Sequence, residues 1–130
     1  MRAINQKATK IFDKIVKRMN GDSYLKIGED GTGIMPLVVE KLATYDAGTT
    51  YSFAHYFKQN GDLCQDPEMV FLKHANGKIY PMMFQQAIPP IYQESLFKEP
   101  DGWKVYPRMQ KTHAVFAGTW LENIKHQQTL

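Results

Sequence analysis

Apolar residues in the first twenty positions recur every three or four: Ile4, Ala8, Ile11, Phe12, Ile15, Val16 and Met19, with cationic residues between them. That spacing puts the apolar set on one stripe of an α-helix and the cations on the opposite side. Asn20-Gly21 supplies the stop, because glycine takes the left-handed conformation that closes a helix. The period then shortens to two. Leu25 and Ile27 alternate with Tyr24 and Lys26 as a short strand, Gly28 to Gly33 reads as a hairpin turn, and a second strand follows from Ile34 to Leu42. Residues 43–50 have the small and polar side chains of a connection. Tyr51 to Phe57 is the clearest strand, presenting Tyr51, Phe53, His55 and Phe57 on one face.

Beyond it, Asn60-Gly61-Asp62 signals a turn within a loop from Lys58 to Asp66, and Pro67 can open the next strand, Met69 to His74. Asn76-Gly77 lies between two β-rich runs, so Lys78 to Phe84 is expected to return antiparallel. From Gln85 to Pro107 the pattern is broken by Pro89-Pro90, Pro100 and Asp101-Gly102, and reads as an irregular crossing with one strand. Met109, His113, Phe116, Ala117, Trp120, Leu121 and Ile124 then mark a last helix from about Met109 to His126. Short strands joined by tight turns predict an α+β fold. The expectation is an antiparallel meander sheet of about five strands with an N-terminal and a C-terminal helix packed on it.

A chain of 130 residues suits one domain over residues 1–130, and its 43% apolar and 22% charged content is that of ordinary globular proteins. The lone cysteine, Cys64, cannot form an intramolecular disulfide, which points to a reducing, cytoplasmic setting. No run of 18 or more apolar residues occurs, so no membrane partner is expected.

Charge adds one feature. The formal total is +3, yet the first twenty residues hold six cations against Asp13 alone, which is +5 and leaves −2 for the remainder. Lys7, Lys10, Lys14, Lys17 and Arg18 are therefore candidates for steering an acidic protein surface or a polyanion.

His55, Asp62, Asp66 and Glu68 form the one cluster with metal-ligand or general-base character, since a hairpin around residue 61 brings strands 51–57 and 67–73 together. The competing reading is structural: Asn60 to Asp62 shape the turn, and His55 hydrogen-bonds Asp66 or Glu68. No spacing matches a defined metal motif, and no cofactor is expected. Cys64 has no catalytic signature around it, and His113, on the apolar stripe of the last helix, reads as a core residue. Tyr51, Phe53, Tyr56 and Phe57 would make a stacking platform for single-stranded nucleic acid if a sheet face were open.

Residues 53–71, Phe-Ala-His-Tyr-Phe-Lys-Gln-Asn-Gly-Asp-Leu-Cys-Gln-Asp-Pro-Glu-Met-Val-Phe, resemble the signature of a family of uncharacterised proteins carried by phages, plasmids and conjugative elements. Met35 to Glu40 is similar to that family's preceding strand, and Trp120-Leu-Glu-Asn-Ile124 to its C-terminal end. The resemblance implies a bacterial cytoplasm and an accessory protein of a mobile element. It implies a non-catalytic role in binding a protein or nucleoprotein partner such as a host-defence nuclease, in the manner of an anti-CRISPR inhibitor. In that reading Lys7, Lys10, Lys14, Lys17 and Arg18 steer the partner, and Asn60, Asp62, Asp66 and Glu68 belong to the displayed loop. Two alternatives remain open on the residues themselves: a nucleic-acid-binding protein using the basic first helix, and a small metal-dependent hydrolase at His55, Asp62, Asp66 and Glu68.

Overall fold

A computed structural model describes the chain except residues 30 and 32, and omits the side chains of Lys58, Gln59, Asp62, Leu63 and Gln65. Helix α1 (Gln6–Lys17) starts at Asn5, whose side-chain oxygen accepts from the Ala8 N–H at 2.7 Å. Six strands follow: β1 (Tyr24–Ile27), β2 (Leu37–Tyr45), β3 (Gly48–Gln59), β4 (Asp62–His74), β5 (Ile79–Gln86) and β6 (Ile91–Glu94). Each pairs antiparallel with the next, so the sheet order is the chain order. A separate hairpin, β7 (Leu96–Glu99) with β8 (Gly102–Val105), precedes helix α2 (Pro107–Gln127). The predicted meander and both helices are present, with six strands in the sheet rather than five.

Three expectations need correction. Residues 43–50 are not a connection; β2 and β3 run through them and turn between Tyr45 and Gly48. The stretch predicted as a loop from Lys58 to Asp66 is strand on both sides of a two-residue turn at Asn60-Gly61, both with positive φ (53° and 84°), as the tightest hairpins require. Polar residues in both stretches disguised these strands in the sequence. The region Gln85–Pro107 holds three short strands where one was expected, since prolines and Asp101-Gly102 limit each to four residues.

Both helices lie on one face of the sheet. Phe12 is fully buried there, stacked on Phe53 (centroids 4.8 Å, planes 6° apart) and edge-on to Tyr51 and Phe71. Ile11, Ile15, Leu37, Val39, Met69, Leu121 and Ile124 complete this core. On the other face, Leu72, Tyr80 and Leu96 form a smaller cluster with Trp103 and Val105 of the β7–β8 hairpin against it, and Tyr45 meets Trp103 edge-on at 5.2 Å. That hairpin covers one end of the second face and leaves the other end open.

The β2–β3 turn depends on one glycine. A Cβ on Gly48, at φ 156°, would fall 2.1 Å from the Lys73 carbonyl oxygen, inside backbone that cannot give way. Gly48→Ala is expected to cost about 1–3 kcal/mol, as overpacking against fixed atoms does. A lower urea midpoint checks this, and an unchanged midpoint would show that β3 and β4 separate there without penalty.

Candidate functional site

The sequence cluster is divided by the sheet. His55 points to the helix-covered face, where it is 4% exposed and its Nδ1 accepts from the Trp120 indole N–H at 3.3 Å. Its proton therefore sits on Nε2, which has no hydrogen-bond partner among the described residues. Burial pushes the His55 pKa below its ordinary 6.5, opposed by the nearby Asp66 carboxylate. Glu68 stands on the opposite face, opposite Ala54 and Gln85 in the ladder. One of its oxygens accepts from the Ser52 hydroxyl at 2.5 Å and the other from the Gln85 amide. Among the described residues His55 makes neither of the expected bonds, to Asp66 or to Glu68, and the imidazole and the Glu68 carboxylate belong to two separate networks.

Asn60 and Asp66 are exposed, the Asp62 side chain lies outside the described residues, and Cys64 is half-buried opposite Phe57. Among the described residues no three His, Cys, Asp or Glu side chains are grouped to hold a metal ion. Pairing of β3 with β2 ends at His55, and of β4 with β5 at Glu68. Residues 56–65 therefore continue as a two-stranded arm, projecting about 15 Å at the usual rise per strand residue. The displayed loop of the sequence reading is a β-arm.

The aromatic platform does not form, because Tyr51 and Phe53 lie beneath Phe12 of α1. His113 is in the core as expected. Its Nδ1 lies 2.8 Å from the Ser95 hydroxyl and its Nε2 3.0 Å from the Gln93 amide oxygen, and burial lowers its pKa from 6.5. Gln93 accepts, so Nε2 carries the proton and Nδ1 takes the Ser95 O–H. Sequence reasoning missed Ser95 and Gln93, whose partners are 18 and 20 residues away.

Charge is sorted by layer. Lys10, Lys14, Lys17 and Arg18 are exposed on α1 and its C-cap, with no ion pair among the described residues; Lys7 is paired with Glu122 of α2 at 2.7 Å, which raises the lysine pKa and lowers that of the carboxyl. Asp13, the only acid of this segment, is held by Lys73 at 3.0 Å. Lys7, Lys10, Lys14 and Lys125 line a shallow groove with Ile11 and Leu130. Residues 1–20 and 107–130 together contain nine cations and two acids, a charge of +7; residues 21–106 contain seven cations and eleven acids, a charge of −4.

The open end of the sheet has acids of its own, Glu40, Glu68 and Glu94, against Lys26. Register places Tyr24, Glu40, Ser52, Val70, Met83 and Glu94 in one cross-strand row, and Glu68, Gln85 and Tyr92 in the next. Tyr24 and Tyr92 are exposed, and the Tyr92 hydroxyl donates to Glu94 at 2.5 Å. That bond, with burial and the charges of Glu94 and Glu68, raises the Tyr92 pKa. Burial first, then Glu68, Glu40 and Tyr24, raises that of Tyr56. The strand register puts Tyr24, Tyr92 and the three glutamates on one surface.

A family model described as Domain of unknown function (DUF6908) matches residues 6–130. The chain belongs to that family. The match runs from α1 to the last residue, so the basic helix, the β-arm and the open sheet face all lie within the DUF6908 domain. No curated protein and no solved structure matches the chain. No helix among the described residues is long and apolar enough to cross a membrane.

Proposed function

We propose that this DUF6908 chain is a non-catalytic binding module of mobile-element origin that engages a nucleoprotein partner through its helical layer. The observation that carries the reading is the division of charge, +7 on the helical segments against −4 on the rest. Exposed cations on α1, spaced three and four residues apart, form a continuous ridge along one side of a rigid helix, and such a ridge steers and holds polyanions. The mobile-element resemblance makes a host-defence nuclease loaded with nucleic acid, such as a CRISPR effector, the proposed partner. Supporting a non-catalytic role, the side chains with reactive potential are committed to structure: His55 to Trp120, Glu68 to Ser52 and Gln85, His113 to Ser95 and Gln93. The β-arm, with Asn60 at its tip and Asp66 just beyond its base, gives a second, projecting contact.

Fluorescence anisotropy with short DNA and RNA, single-stranded and duplex, tests the polyanion contact. Four neutralised phosphates give a log–log salt slope of about −3 to −4, and K10E/K14E/K17E/R18E is expected to abolish binding. If every nucleic acid fails to bind at low salt, or the reversed variant binds as well as the native chain, the helical layer is not the contact surface.

A further inference from the structure

We propose that the open sheet face is a docking surface for α1 of a second copy of this chain, so that copies associate head to tail. The face has three glutamates against one lysine, Lys26, and the chain itself supplies a complementary surface in the ridge of α1.

Spacing matches as well as sign. Glu40, Glu68 and Glu94 stand on β2, β4 and β6, every second strand; Glu40 and Glu94 share one row and Glu68 lies in the next, so neighbouring positions are about 12 Å apart. Lys10 and Lys17 are seven residues apart on a helix, about 10.5 Å along its axis, with Lys14 between them. The twelve residues of α1 extend about 18 Å, close to the span of about 19 Å from β2 to β6. A helix laid across the strands thus sets Lys10 and Lys17 near two neighbouring carboxylates, with Lys14 between them.

Preorganisation favours the same occupant. Glu68, at the centre, is fixed through both oxygens by Ser52 and Gln85, so it meets an incoming ammonium without losing side-chain freedom. Tyr24 and Tyr92, 54% and 61% exposed, flank the row and offer ring faces to the lysine stems and charges. Because helix and sheet face are different patches, the contact is heterologous and leaves one unsatisfied patch at each end.

Sedimentation velocity without any nucleic acid tests this independently of the function proposed above. At low ionic strength the weight-average sedimentation coefficient is expected to rise with protein concentration, and it should return to the monomer value in about 1 M salt, where the Debye length is near 3 Å. The exposed positions allow a charge swap: E40K/E94K alone and K10E/K14E/K17E alone should each be monomeric with native circular dichroism. An equimolar mixture should reassociate, because the native ridge of E40K/E94K can again dock on the native acidic face of K10E/K14E/K17E. A native chain that stays monomeric at low salt, association that survives in either variant alone, or a mixture that stays monomeric would each overturn the proposal.

Discussion

Phe12→Ala is expected to lower stability by about 3–5 kcal/mol, the range for deleting a buried phenylalanine and leaving a cavity. Phe12 is fully buried, and its ring is the only contact of α1 with three aromatic partners at once: stacked on Phe53, edge-on to Tyr51 at 5.8 Å and to Phe71 at 5.4 Å. Phe53 and Phe71 also meet each other at 5.5 Å, so the partners are already braced and cannot collapse into the space. Domains of this size have about 5–15 kcal/mol in total, and the loss corresponds to a Tm about 10–20 °C lower. Urea unfolding followed by Trp fluorescence measures it. Val115→Ala, on the exposed side of α2, serves as the control and should stay within about 0.5 kcal/mol. A Phe12→Ala loss as small as the control's would mean that α1 is not anchored through this ring.

The second large effect is with pH. His55 and His113 both have pKa values held below 6.5 by burial. A lowered histidine pKa means that the unfolded chain takes up a proton before the folded one does. The stabilisation from each neutral ring is therefore complete above the ordinary value, and is lost as pH falls below about 6.5 towards the folded pKa. The slope reaches about 1.4 kcal/mol per pH unit for each histidine, or about 2.7 for the two together. His55 is the more sensitive, since a proton on Nδ1 breaks the Trp120 bond, whereas His113 keeps Ser95 as an acceptor whose own hydroxyl can turn to the Met82 carbonyl 3.4 Å away. Urea midpoints should change little between pH 7.5 and 6.5 and fall from pH 6.5 to 5.5 in the native chain, and the fall should shrink in His113→Gln and more in His55→Gln. A flat profile between pH 7.5 and 5.5 would show that neither ring is held neutral.

The two helices, the strands around Phe53 and Phe71 and the Asn76-Gly77 hairpin were legible in the sequence because each signal is local. A stripe at spacings of three and four, an alternation of two, and a glycine with positive φ act within about ten residues. The extension of the β3–β4 hairpin's strands through residues 58–66 and the separate strands between Gln85 and Pro107 were not legible, since their pairing depends on the partner strand and turn residues interrupt their patterns. The same applies to the site. Proximity of His55 and Glu68 in sequence says nothing of the face each occupies; pairing across a bulge between Ala54 and Tyr56 decides that.

By itself the sequence determined the α+β class, the two terminal helices with an antiparallel meander between them, the basic ridge on α1 and the placement of His113 in the core. All of these follow from periodicity and local charge. Only the tertiary structure decided that the helices share one face, that Glu68 is fixed on the other by Ser52 and Gln85, and that Glu40, Glu68 and Glu94 fall in two adjacent rows of that face. The reason is that a strand's neighbours are set by register with chain segments tens of residues away, and no local preference of a residue records which side of a sheet another element will cover.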